Sequence, residues 1–194
     1  DAVESTGVPV LRVGDSLDAI PIRTDDDHGD DHGDDHGDAD PHVWWDPTLV
    51  AAGVPVMVKA MVAVGIDRDE LDICAQRYIS ELTALDNEVA AIVAPLPVDR
   101  RVLVTNHDAL EYFAARYNFD VLGSVIPSSS SLAATNPAEL DALADAIETI
   151  GVPAIFAETQ QSSADADALA NRIGGIEIVE LLTGTLGEPQ SEAA

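Results

Sequence analysis

The chain has 194 residues, of which 46% are hydrophobic, and carries 36 acidic against 9 basic side chains, a formal net charge of −27. A negative charge of this size argues against nucleic acid and anionic membrane surfaces as partners, because both require basic patches. It favours cations as ligands, and the length allows one large domain or two small ones.

The first stretch of the chain contains two short apolar runs, residues 8–13 and 19–22, separated by a polar turn. Apolar runs of this length bounded by turn residues are typical of strands. We therefore predict two strand fragments before residue 24.

Residues 24–40 contain the unit Asp-Asp-His-Gly three times in succession. Each unit supplies one imidazole, a donor that suits zinc, copper or nickel, beside two carboxylates. Glycine at every fourth position argues against a helix and predicts a mobile loop. We interpret His28, His32 and His36 as a weak, multi-site metal collector. The alternative is a solvated acidic linker, whereas a calcium loop fits poorly because its closing Glu is absent.

Two helices are predicted next. Asp46 followed by Pro47 is a typical helix start, and residues 48–64 are apolar nearly all round, which indicates a buried helix. A second helix runs from about residue 68 to about 94 and would extend roughly 40 Å, enough for a spine between two lobes. Its predicted apolar stripe consists of Leu71, Cys74, Tyr78, Leu82, Leu85, Val89 and Ile92. The single cysteine is thereby predicted to be a small buried hydrophobe.

Beyond residue 98 strands and helices alternate. This order predicts parallel β-α units with helices on both faces of a sheet. The predicted strands are residues 101–105, 121–126, 154–157 and 176–182, and the predicted helices are residues 108–117, 138–150 and 163–173. Ligands of such sheets bind beyond the carboxyl ends of the strands. His107, Glu158 and residues 183–185 lie at those ends.

His42 and His107 are the two histidines in ordered apolar contexts. A lone histidine after a buried strand is more often structural than a ligand, but two imidazoles at opposite ends of a spine helix suggest a shared metal site. Zinc usually takes four ligands, so other groups must contribute. For Glu158 three roles stay open, which are structural pairing with an arginine, orientation of a ligating imidazole, and direct metal binding. No nucleophile motif or glycine-rich phosphate loop is present.

Three motifs together resemble the metal-binding solute-binding proteins of zinc and manganese ABC importers. These motifs are Asp-Pro-His-Val-Trp at 40–44, Asn-His-Asp-Ala at 106–109 and Phe-Ala-Glu at 156–158. The resemblance implies an α/β fold with two lobes of parallel sheet and flanking helices, joined by a long rigid spine helix. By that resemblance residues 1–64 end the N-terminal lobe and include the loop, residues 65–97 form the spine helix, and residues 98–194 form the C-terminal lobe.

The resemblance also implies a function. The chain would be an extracytoplasmic receptor, not an enzyme, that captures Zn²⁺ in an interlobe cleft and delivers it to an ABC permease. His42 and His107 would be ligands, and histidine at 107, where manganese-type relatives carry Glu, indicates zinc rather than Mn²⁺. The implied location is periplasmic or extracellular, a lipid anchor included. Another metal carrier is a further candidate partner, exchanging ions with the loop.

The sequence departs from the family pattern in two places. The family's upstream histidine has no counterpart, and Gly184 stands where an aspartate ligand is expected, so the resemblance implies a chain that is incomplete at both ends. Two alternatives stay open on the residues themselves. One is a zinc hydrolase using His42, His107 and Glu158 around an activated water. The other is a metal buffer or adhesin of the same fold.

Overall fold

The computed structural model describes residues 8–18, 20, 40–126, 137–159 and 162–183. The predicted loop ligands His28, His32 and His36, and Gly184, lie outside these residues. The chain divides into two compact units, Asp1–Pro95 and Leu96–Ala194. The division follows the second long helix, which therefore groups with the first unit.

The first unit contains the two predicted helices, α1 (Pro47–Ala63) and α2 (Arg68–Val93). The Asp46 carboxylate caps α1 by accepting a hydrogen bond from the backbone N–H of Thr48 at 2.8 Å, with Pro47 as the first helical residue. Such a cap satisfies one of the donors that a helix leaves free at its start. In the described part of the chain, no helix combines the length and hydropathy that crossing a membrane would require.

The two helices pack on each other through a core of Val54, Val58 and Leu82. The apolar face of α2 that is buried or half-buried includes Leu71, Ala75, Ile79, Leu82, Val89 and Val93, with Asp86 buried beside them. Four members of the predicted stripe are instead exposed: Cys74, Tyr78, Leu85 and Ile92. The predicted burial of Cys74 is therefore wrong. The predicted stripe and the observed face of α2 both have helical spacing. Contact with α1 decides which of the two is buried.

Residues 8–13, predicted as a strand, are irregular and lead into one 3₁₀ turn at Gly14–Ser16. In the described part of the first unit there is no strand at all. A strand is stable only where a partner pairs with its backbone groups, and an apolar pattern does not reveal whether that partner exists. The second predicted fragment, 19–22, falls outside the described residues except for Ile20.

The second unit is an α/β fold built on a parallel sheet, as predicted. Its strands are β1 (Val102–His107), β2 (Asp120–Ile126), β3 (Ala154–Glu158) and β4 (Glu177–Leu181). Its helices are α3 (Glu111–Tyr117), α4 (Pro137–Ile150) and α5 (Ala164–Arg172). The strand order is β2-β1-β3-β4, and every pairing is parallel. The sheet therefore places β1 and β3 side by side at its centre.

The core of this unit lies between one face of the sheet and the helices α4 and α5. Val104, Val125 and Ile155 from the strands pack there with Leu143, Ile147 and Leu169 from the helices. Successive side chains of a strand point to opposite faces. Because Val104 and Ile155 face this core, His107 and Glu158 share the other face of the sheet.

Candidate metal centre

His107 and Glu158 form a buried pair at the carboxyl edge of the sheet. Thr105 of β1 is in register with Phe156 of β3, so the residues two positions further along each strand stand beside each other on one face. The Nδ1 atom of His107 lies 3.1 Å from Oε1 of Glu158. Their exposed fractions are 5% and 8%. The sheet register thus brings together two of the residues predicted from sequence.

Among the three roles left open for Glu158, the geometry of this pair favours orientation of the His107 imidazole. Arg172 contacts Asp141 instead, and the Arg116 guanidinium lies over the ring of Tyr117, 5.9 Å from its centroid. The Nδ1–Oε1 distance of 3.1 Å is that of an ion pair, although the contact does not have hydrogen-bond geometry. An ionised carboxylate only accepts, so the proton belongs on Nδ1 and the lone pair on Nε2.

Other buried polar groups lie at the same end of β1. The Oγ1 atom of Thr105 and the Oδ1 atom of Asn106 are buried without a hydrogen-bond partner among the described residues. Asn106 donates through Nδ2 to the Ser162 carbonyl at 3.4 Å. Native proteins rarely leave buried polar groups unsatisfied. Such groups at the carboxyl edge of a parallel sheet are typical of a binding site.

A second pair, in the first unit, joins His42 to Asp40. The Nδ1 atom of His42 is 2.6 Å from Oδ1 of Asp40, and the same oxygen accepts the backbone N–H of His42 at 3.0 Å. Their exposed fractions are 7% and 5%. His42 was predicted from the sequence as a site residue, and Asp40 was not. The available signal was the spacing, because an aspartate readily binds the backbone N–H two residues later.

Two further contacts surround this pair. The ring of Trp44 packs edge-on against the His42 ring, with centroids 5.2 Å apart and planes at 73°. Trp44 remains 54% exposed. The backbone N–H of Asp40 donates to the Ile20 carbonyl at 2.9 Å. Ile20 therefore lies beside Asp40, next to the Asp40–His42 pair.

Within neither unit do the described residues group three His, Cys, Asp or Glu side chains as a metal site would. Each unit contributes one imidazole with its carboxylate, whereas a structural zinc site takes four ligands. His42 and His107 belong to different units. Their binding of one ion remains a prediction from sequence.

Comparison with known proteins gives a family match over the whole chain. The model described as "Zinc-uptake complex component A periplasmic" (ZnuA) matches residues 1–194. The manganese-binding lipoprotein MntA of Halalkalibacterium halodurans is 27% identical over 188 residues, 95% of this chain and 58% of that protein. The zinc-binding protein TroA of Treponema pallidum is 35% identical over 136 residues, 69% of this chain and 43% of that protein. The chain thus spans about half the length of these relatives.

Solved structures agree with the family match. The periplasmic zinc-binding protein TroA from Treponema pallidum aligns with a TM-score of 0.72 and 28% identity, covering 82% of this chain and 59% of that one. A crystal structure of ZnuA aligns with a TM-score of 0.64 and 30% identity, covering 74% of this chain and 53% of that one. The fold and the motifs therefore point to the same family.

Proposed function

The chain belongs to the family of periplasmic zinc-uptake components, and we propose that it binds a divalent transition metal as cargo for an ABC importer. The members of this family are transport receptors and not enzymes. The observation that carries the proposal is the pair of buried histidines, His42 and His107, each with a carboxylate oxygen at Nδ1. Ligating histidines almost always have such a partner.

We propose Zn²⁺ as the cargo. Imidazole nitrogen suits zinc, whereas manganese prefers carboxylate, carbonyl and water oxygens. Each proposed ligand, His42 and His107, offers a nitrogen, and Glu158 is engaged with the His107 ring instead of standing alone. The named relatives include a zinc-binding and a manganese-binding protein, so the metal class has support beyond this chain and the choice of zinc rests on the donors.

We propose that one ion takes both imidazoles and that its remaining ligands come from water or other groups. This arrangement follows from the resemblance described above, in which metal is held between two lobes. It makes a definite prediction about stoichiometry. Loss of either histidine should abolish the same site, because an ion that loses one of two anchoring imidazoles is held mainly by exchangeable water.

The repeat that contains His28, His32 and His36 has a proposed accessory role. The backbone N–H of Asp40 donates to the Ile20 carbonyl, so the two residues that flank 21–39 in the sequence lie close to His42. Ions gathered weakly by a segment tethered there reach the site at raised effective concentration. An ABC permease would receive the cargo outside the cytoplasm, and another metal carrier would exchange ions with the repeat.

Zinc titration of the 194-residue chain tests the proposal. The only two tryptophans, Trp44 and Trp45, follow His42 closely, so their fluorescence reports binding at that residue, and calorimetry counts the ions. We expect one tight site that disappears in both His42→Ala and His107→Ala. Two sites, each lost in only one variant, would contradict the shared ion, and unchanged binding in both variants would reject the function.

Two further measurements use the same titration. Competition with Mn²⁺ tests the metal, and we expect Zn²⁺ to displace it. Deletion of residues 25–38 should remove the weak sites and keep the tight one. An unchanged stoichiometry after the deletion would remove the accessory role of the repeat while leaving the proposal for His42 and His107 intact.

A further inference from the structure

We infer that Asp40 is a positioning residue that holds the imidazole of His42 in the tautomer with its lone pair on Nε2. The inference rests on the proposed function in one respect, that His42 binds the metal. In the sequence, only the two-residue spacing from His42 marks this carboxylate as a partner of the imidazole. Its role follows from where its oxygen lies.

A single oxygen of Asp40 serves two donors of His42. Oδ1 lies 2.6 Å from the ring Nδ1 and accepts the backbone N–H at 3.0 Å. The backbone contact fixes the turn, and the ring contact fixes the side chain relative to that turn. With an ionised carboxylate as acceptor, Nδ1 must carry the proton. The nitrogen left to bind a cation is Nε2.

Burial and packing strengthen this assignment. Asp40 is 5% exposed and His42 is 7% exposed, so water competes little for either partner and the contact is electrostatically stronger than it would be in bulk solvent. The edge-on Trp44 ring packs against the imidazole and limits its rotation. Before any ion arrives, the ring therefore already has the tautomer that a ligand needs and is held by its contacts with Asp40 and Trp44, which lowers the cost of binding.

The carboxylate also has an effect once the ion is bound. Positive charge on the ring is offset by the adjacent negative charge, which makes the imidazole a better donor. Loss of such a partner typically lowers metal affinity by about 10- to 100-fold. A residue that only shaped the turn would not have this effect, because its contact would end at the backbone N–H.

Two substitutions separate positioning from turn formation. Asp40→Asn keeps an acceptor oxygen for both donors and removes the charge, so the tautomer should persist while zinc affinity falls by less than in the alanine variant. Asp40→Ala removes both contacts, so the ring should populate both tautomers and affinity should fall by about 10- to 100-fold. Asp15→Asn is the matched control, because Asp15 is an exposed acid in the same unit.

The decisive measurement is nitrogen-15 NMR of the histidine rings in the metal-free chain, with His42 assigned from His42→Gln. It needs no metal binding, so it distinguishes failure of this inference from failure of the proposed function. We expect the Nδ1–H tautomer in the wild type, in Asp40→Asn and in Asp15→Asn, and a mixture in Asp40→Ala. An Nε2–H tautomer in the wild type would overturn the inference.

Zinc titration of the same variants completes the test. A fall in affinity in Asp40→Ala that Asp40→Asn partly restores supports positioning. Equal affinity in the wild type and Asp40→Ala, whatever the tautomer, would show that the carboxylate does not serve the ligand and would overturn the inference. If Asp40→Ala fails to fold, the wild-type tautomer and the Asp40→Asn affinity still decide the outcome.

Discussion

The two histidine–carboxylate pairs have similar chemistry but are built in opposite ways. Asp40 and His42 are two residues apart and meet within a single turn. His107 and Glu158 end different strands and meet because the sheet places β1 beside β3. The first pair depends on local backbone geometry, and the second depends on the packing of a whole unit.

This difference predicts how each pair responds to change. A local contact survives as long as its turn does, whereas a contact between strands loses its geometry as soon as the strands move. The first pair should therefore respond to substitutions near its own turn, and the second to core substitutions far from any ligand. Substitutions at four positions, with Leu82→Ala as a control, test this contrast.

The largest loss of folding free energy is expected from Ile155→Ala. Ile155 is fully buried in β3, within the core cluster that includes Val104 and Leu143. Truncating such a side chain typically costs 2–5 kcal/mol through lost burial and the cavity left behind. We expect faster amide hydrogen exchange in β1 and β3 and a disturbed His107 ring, measured by NMR, with the His42 tautomer unchanged.

The matched control is Leu82→Ala, which truncates a buried residue of the α1–α2 core. Its main effect should be on amide exchange in the first unit, and the His107–Glu158 pair should keep its geometry. If both substitutions disturbed both pairs equally, the distinction between a local and a sheet-supported pair would be wrong.

Glu158→Ala should lower zinc affinity by about 10- to 100-fold, the usual cost of losing the partner of a ligating imidazole. Glu158→Gln keeps an acceptor oxygen near Nδ1 of His107 and should lose less. Calorimetric titration of both variants, beside the wild type, measures the difference. Unchanged affinity in Glu158→Ala would mean that the carboxylate is only a structural neighbour of the ring.

Asp46→Ala tests the Asp40–His42 pair by changing the backbone on the C-terminal side of His42. The Asp46 carboxylate accepts hydrogen bonds from the backbone N–H of Thr48 at 2.8 Å and from its hydroxyl at 2.7 Å. Loss of such a cap costs about 0.5–2 kcal/mol. We expect a lower midpoint of thermal unfolding by circular dichroism and altered tryptophan fluorescence. The His107 ring signals should not move, and a change in them would contradict the prediction.

The smallest loss of folding free energy is expected from Arg172→Ala. This substitution removes the ion pair between Arg172, the last residue of α5, and Asp141 of α4. The side chains are 44% and 66% exposed, and exposed pairs contribute between about 0 and 1 kcal/mol because water and salt screen them. Denaturant unfolding should shift little, and less at high salt. Neither histidine should change its NMR signals. A large shift would show that this surface pair supports the sheet.

Much of the fold was predictable from local patterns. The alternation of apolar strands and amphipathic helices predicted the parallel sheet of the second unit, and Asp46 with Pro47 predicted the start of α1. These features depend on hydrogen bonds and side-chain spacing over a few residues. The Asp40–His42 contact is of the same kind, and it was missed because its signal is a two-residue spacing, which many sequences share by chance.

Other features depended on contacts that no local pattern contains. The strand order that puts His107 beside Glu158, the face of α2 that carries Leu82 and exposes Cys74, and the irregular backbone of residues 8–13 are all of this kind. In each case several arrangements have similar local propensity, and long-range packing decides which of them has the lowest free energy. The sequence by itself therefore predicted His42, His107 and Glu158 as candidate site residues, and the tertiary structure decided which carboxylate lies beside each of the two imidazoles.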